Sequence, residues 1–265
     1  MKGILFHQLF EAQSSTYTYL IADRETREAA IIDPVLETTD RDLKFVRKLN
    51  LRLKYIMETH IHADHISGAA GLRGKTNAKT AISSAAGSDC TDIQLRDGQI
   101  LPLGNKKITA LATPGHTNAC MSFYFEGMIF TGDSLLIRGT GRTDFQGGSA
   151  ERLYESITRK LFLLPEETYV YPGHDYQGLT VTTIALEKKL NPRIGGNRSE
   201  EEFKKIMDEL RLEFPKKMNL AVPINLACGN LEAVRRIHPE TGSDVSTVSN
   251  DDVFENISKS CGTAG

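Results

Sequence analysis

Tryptophan is absent from this chain of 265 residues, and cysteine is scarce, with four residues at 90, 120, 228 and 261. No two of them form a Cys-x-x-Cys pair, and so few cannot staple a chain of this length, which predicts reduced thiols and a reducing, cytoplasm-like compartment. Cys120 and Cys228 sit in apolar or strand-like runs and are expected as packed thiols, Cys261 as an exposed one. An excess of charge of one sign is also lacking. The 32 Lys and Arg face 34 Asp and Glu for a net −2, with no long like-charge block, which argues against nucleic acid and against membrane surfaces as partners. Nor does any apolar run approach the roughly 18 residues needed to cross a bilayer. The N-terminal MKGILFHQLFEAQ has neither a signal peptide's apolar core nor a transit peptide's Arg-rich bias. It reads as the start of an unprocessed or already mature cytoplasmic chain, and a mature organellar matrix protein would look the same.

What is present is an ordinary globular composition, 40% apolar and 25% charged, long enough for one large or two small domains. Thr16 to Ala22 and Glu28 to Asp33 flank a polar DRETR turn and predict an antiparallel hairpin that Asp33-Pro34 ends. Leu43, Val46 and Leu49 recur at helical spacing behind Thr39 and Asp40, so a helix is expected over 39–49, followed by a buried strand at 53–57. Further strands are expected at 106–112, 119–125, 127–131 and 167–171, and helices at 149–162, 179–190 and 199–212. Each half thus runs hairpin, Asp, helix, strand, His, the order of an internal duplication. Antiparallel hairpins joined by helical crossovers predict an α/β (α+β) chain with two packed mixed β-sheets and helices outside. A single domain is expected over 1–230, and the Ser-, Thr- and Asp-rich stretch within 231–265 reads as a surface tail.

The chemistry concentrates in Thr59-His60-Ile61-His62-Ala63-Asp64-His65, which holds three of the seven histidines at the end of a predicted strand. Imidazole nitrogen and carboxylate oxygen suit borderline divalent metals such as Zn, Fe and Mn. Pro114-Gly115-His116 and Pro172-Gly173-His174 each present an imidazole after a strand, and Gly132-Asp133 adds a carboxylate where another strand stops. Seven candidate ligands on strand-end loops point to a metal site. His7 and His238 stay outside it as expected surface residues. Glycines 139, 141, 147 and 148 lack the Gly-Lys-Ser/Thr ending of a phosphate cradle and are read as loop shape.

His60-x-His62-x-Asp64-His65, followed by His116, Asp133 and His174, resembles the metallo-β-lactamase superfamily over about 60 to 174, which implies an αββα sandwich with metal at the edge where the sheets meet. GDSLLIRGTGRTDFQGG (132–148), YPGHDYQG (171–178), LNPRI (190–194) and AVPINLACG (221–229) resemble, more narrowly, the persulfide dioxygenases over residues 4 to 229. That likeness implies one Fe(II) per chain held by His60, His116 and Asp133. His62, Asp64, His65, His174 and Asp175 would then orient ligands from behind or, in part, hold a second metal. It also implies oxidation of glutathione persulfide by O2 to sulfite and glutathione. A glyoxalase II-like hydrolase would instead use two Zn ions, His60, His62 and His116 on one, Asp64, His65 and His174 on the other, with Asp133 bridging.

Glutathione carries two carboxylates, so a site for it should offer planar bidentate donors and an aromatic or hydroxyl contact. Arg142, Tyr176 and Arg193 are the candidates. A metal-bound sensor is the non-enzymatic reading, and the complete ligand set argues against it. The sequence leaves oligomeric state open, a homodimer included.

Overall fold

A strand buried along its whole length must be covered on both faces, and Thr16–Asp23 is such a strand. In the computed structural model, which describes residues 3–228, Tyr19 and Ile21 point into an inter-sheet core with Met57, Phe123, Phe125 and Phe130. Leu20 and Ala22 point the other way, against Leu43, Val46 and Leu72 of two outer helices. This alternation makes the chain a sandwich of two sheets flanked by helices.

The first sheet contains β1 (Ile4–Glu11), β2 (Thr16–Asp23), β3 (Glu28–Ile32), β4 (Arg52–Met57), β5 (Lys79–Ser83) and β6 (Ile93–Leu95), in chain order. The second contains β7 (Ile100–Leu103), β8 (Lys106–Ala112), β9 (Met121–Phe125), β10 (Met128–Gly132), β11 (Tyr169–Pro172) and β12 (Thr182–Thr183), also neighbour to neighbour. Parallel pairing of β3 with β4, β4 with β5 and β10 with β11 requires crossovers, supplied by α1 (Thr39–Lys48), α2 (Ala69–Thr76) and α3 (Ala150–Arg159). α4 (Ile184–Leu190), α5 (Glu200–Glu209) and α6 (Met218–Leu226) follow. The expected duplication is visible: hairpin β2–β3, Asp33, α1 and β4 lead to His60, as hairpin β9–β10, Asp133, α3 and β11 lead to His174.

Several expectations need correction. The helix expected over 179–190 begins only at Ile184, because Thr182–Thr183 pairs with β11 and the Thr183 side chain caps the helix by accepting from Leu186 N. α6 was hidden by Pro223 in its interior. His7 is not a surface residue: on β1 it is half-buried, 5.6 Å from the Phe45 ring. His238, Cys261 and the 231–265 tail lie outside the described residues.

The cysteine reading changes most. Exposed Cys90 and half-buried Cys228 form a disulfide across 138 residues of sequence, so reduced thiols no longer argue for a cytoplasmic compartment. Cys120 is the packed thiol expected; burial pushes it up to about 11. The disulfide anchors the end of α6 to the loop before β6. Cys228→Ser is expected to lower stability by roughly 2–4 kcal/mol, read from guanidinium unfolding without reductant. Unfolding at an unchanged midpoint would show that the bond carries no constraint.

Candidate metal centre

Thr59, two residues beyond β4, is where the loop of clustered histidines is pinned. Its backbone N–H donates to Asp33 Oδ1 at 2.7 Å and its hydroxyl to Asp33 Oδ2 at 2.9 Å. With that hydroxyl proton committed, the 2.9 Å contact with His60 Nδ1 is one in which His60 Nδ1–H donates, so Nε2 keeps its lone pair. The Thr59 carbonyl accepts from Met121 N of the second sheet at 2.8 Å. Gly132, at φ +49°, ends β10 against Thr59. A Cβ there would stand 2.4 Å from Thr59 Oγ1, so only glycine lets Asp133 follow so close to His60. Gly173 does the same from β11, where a Cβ would meet Asp133 Oδ1 at 2.7 Å.

Ligand atoms of His60, His116 and Asp133 lie within 4.8 Å of one another. His116 Nδ1–H donates to the Arg142 carbonyl at 2.8 Å, leaving Nε2, 3.7 Å from Asp133 Oδ2. Asp133 Oδ1 is buried with no hydrogen-bond partner. His62, Asp64 and His65 form a second group: His65 Nδ1 bonds Asp64 Oδ2 at 2.9 Å, while His65 Nε2 and His62 Nδ1 are buried without partners. His174 Nδ1 bonds the Ser15 carbonyl at 3.2 Å, and its Nε2 lies 3.6 Å from Asp64 Oδ2 and 3.7 Å from Asp133 Oδ2. Each imidazole is thus held by one nitrogen from behind and presents the other. Buried polar atoms left unpaired cost about 1–3 kcal/mol each, so this convergence fits a bound divalent metal.

The electrostatics differ from donor to donor. Burial, with His62 and His116 nearby, holds the His60 imidazole well below its usual range, in the neutral form a metal needs. For His62 burial acts the same way, but the Asp33 and Glu58 carboxylates outweigh it and raise it. Burial favours a protonated Asp64, yet His65 and His174 hold it well below the carboxylate range. His174 is raised by Asp133 and Asp64 against the effect of burial. Metal and protons therefore compete for the same lone pairs.

The remaining candidates face a cavity of about 450 Å³ beside His60, His116, Asp133 and His174. Tyr176 is 76% exposed and stacks on the His174 ring at 6.1 Å; partial desolvation, with the Asp133 and Asp64 carboxylates nearby, raises its phenol, which stays neutral. Arg193 donates to the Thr140 carbonyl and has no carboxylate partner among the described residues. Arg142 is largely committed: it forks onto Asp144 at 2.6 and 2.7 Å, donates to the carbonyls of Leu212 and Glu213, and lies over the Phe145 and Phe214 rings. Asp175 accepts from Gln177 N and Leu179 N, so its carboxylate shapes the loop carrying Tyr176.

Three residues of this site escaped the sequence reading. Asp33 was visible only as the end of a hairpin, though the repeated order of hairpin, Asp, helix, strand and His pairs it with Asp133. Glu58 approaches His62 Nε2 at 3.3 Å and pairs with Ser67 Oγ, with no sequence signal. Asn225, inside the AVPINLACG segment, donates to the carbonyls of His62 and His65 at 2.8 Å and accepts from Ser67 N at 2.8 Å. Asn225→Ala is expected to weaken Zn(II) or Fe(II) binding by about 10–100-fold in chelator competition, with an unchanged circular dichroism spectrum. Unchanged affinity would reduce the Asn225 bonds to packing.

Residues 13–174 match the family model described as the metallo-beta-lactamase superfamily. The mitochondrial persulfide dioxygenase ETHE1 of Bos taurus is 48% identical over 228 residues, covering 85% of this chain and 89% of that protein. The crystal structure of ETHE1 from Myxococcus xanthus matches with a TM-score of 0.83 at 53% identity, over 85% of this chain and 100% of that one. Glyoxylase B2 of Dictyostelium discoideum is 34% identical over 263 residues, covering 83% of this chain and 89% of that protein. The ligand order, the two-sheet fold and these likenesses agree: the chain belongs to the metallo-β-lactamase superfamily and, within it, to the persulfide dioxygenase family.

Proposed function

We propose that the chain is an iron-dependent dioxygenase that converts glutathione persulfide, O2 and water to sulfite and glutathione. The observation that carries this reading is the convergence of His60, His116 and Asp133 on the wall of a cavity large enough for a tripeptide thiol. Two imidazoles and one carboxylate are the donor set of non-haem Fe(II) oxygenases. Iron held there would supply open coordination positions and the redox capacity that O2 requires and zinc lacks.

The chain's own groups would do the rest. Hydrogen bonds from His60 to Thr59 and from His116 to the Arg142 carbonyl fix both rings. Arg193, the guanidinium in the cavity without a carboxylate partner, would anchor a glutathione carboxylate. Tyr176 would close over the peptide from its place against His174, while Arg142 would hold the 212–213 wall. His62 and His65 from behind, and Asp64 and His174 from the cavity wall, would orient water and ligands. The cytoplasm would supply glutathione and O2, as would the mitochondrion that names the mammalian relatives. A second reading, hydrolysis of glutathione thioesters by two zinc ions, is favoured by the second donor group and the unpartnered His62 Nδ1 and His65 Nε2.

Oxygen uptake by anaerobically Fe(II)-loaded protein is expected with glutathione persulfide and not with the zinc-loaded form. Thioester cleavage by the zinc form without any uptake by the iron form would favour the hydrolase. Arg193→Ala is expected to raise KM for glutathione persulfide about tenfold with iron content unchanged. An unaltered KM would remove Arg193 from the substrate site.

A further inference from the structure

Among the described residues three guanidinium groups line the cavity, from Arg138, Arg142 and Arg193, and they are not equivalent. Arg142 is matched by Asp144, and Arg138 by Glu187. Glu187 lies on α4 with 0% exposure and is more than a counter-ion. Its Oε2 accepts from the backbone N of Arg138 at 3.0 Å and from Asn191 Nδ2 at 2.8 Å, and its Oε1 accepts from the Thr182 hydroxyl at 2.8 Å. Asn191, 2% exposed, completes the link. Its Nδ2 also donates to the Gly139 carbonyl at 3.0 Å, and its Oδ1 accepts from the backbone N of Arg193 at 3.0 Å and of Ile194 at 3.3 Å.

Two buried side chains therefore join the loop that follows the Asp133 ligand to the segment that carries Arg193. That loop is otherwise held by Gly141 N donating to the Asp133 carbonyl at 2.7 Å and by the Leu136–Gly139 bridge. The Arg193 guanidinium meets the loop again at the Thr140 carbonyl. A buried carboxylate with four donors on it is a rigid joint, since breaking any one leaves charge or a polar atom unpaired.

We propose that Glu187 and Asn191 are positioning residues for substrate charge. They neutralise Arg138 and set Arg193 at a fixed distance from the metal-binding carboxylate, so that the cavity presents one unmatched cation to one carboxylate of a thiol-bearing peptide. The proposal rests on the reading of Arg193 as the anchor for glutathione persulfide. It adds that the anchor's position and its uniqueness belong to α4 rather than to Arg193 alone.

The test is steady-state oxygen uptake by the iron-loaded full chain. Asn191→Ala, Glu187→Gln and Arg193→Ala are each compared on glutathione persulfide and on the persulfide of glutathione diethyl ester, which lacks free carboxylates. Asn191→Ala is expected to raise KM for the acid about tenfold, to leave kcat within about twofold and iron content unchanged, and to leave KM for the ester unchanged. In an Arg193→Ala background it is expected to add no further penalty, because both changes remove one interaction. Glu187→Gln keeps the shape but leaves Arg138 as a second unmatched cation on the cavity wall, and is expected to widen the preference for the acid over the ester. Equal losses on acid and ester, or additive penalties with Arg193→Ala, would overturn the proposal by showing that the joint is structural. If Glu187→Gln does not fold, the Asn191 cycle decides by itself. Wild-type protein that takes up no oxygen with either persulfide would instead overturn the functional reading on which the proposal stands.

Discussion

The site depends on one residue pair, Asp33 and Thr59. The Asp33 carboxylate ends the first hairpin and takes both the backbone and the side-chain proton of Thr59, which fixes the turn out of β4 and the tautomer of His60 together. Thr59 is also where the second sheet touches the first, through Met121 N on its carbonyl and Gly132 against its side chain. A metal site built from both halves of a duplicated fold needs its two loop systems in fixed register, and this contact supplies it. Loss of the Asp33 carboxylate would strand a buried N–H and a hydroxyl at once and leave His62 Nε2 with Glu58 alone.

Around that pin the donors divide into two sets that share one design. Each imidazole gives one N–H to a neighbouring oxygen and turns its other nitrogen inward. One set holds two imidazoles and a carboxylate against the substrate cavity. Of the other, Asp64 and His174 border the same cavity, while His62 and His65 sit behind them under Asn225 and Glu58. Oxygenase and hydrolase readings of such a centre differ in how many of these donors bind metal, since iron with open positions and paired zinc ions need different numbers.

Most of the site was legible in the sequence because its ligands are rare residue types in dense runs at strand ends. His60 to His65 lie within six positions, and His116, Asp133 and His174 each follow a glycine at a strand end. The layers were legible too, since strands such as β2 carry apolar residues on both faces. The supporting residues were not. Glu58, Asn225 and Glu187 are ordinary types, and the partners of Asn225 stand about 160 positions away. Glu187, followed by Lys188 and Lys189, reads as part of a solvated helix face until Arg138 is folded against it. The disulfide escaped for the same reason, because Cys90 and Cys228 become neighbours only after α6 docks.

The central claim is that a single iron sits among His60, His116 and Asp133. Anomalous diffraction at the iron edge, from crystals of the full chain grown anaerobically with Fe(II), tests it most directly. The account predicts one peak per chain, bounded by those three side chains, with His62, Asp64, His65 and His174 ligating nothing. Two peaks, the second bounded by Asp64, His65 and His174, would contradict it.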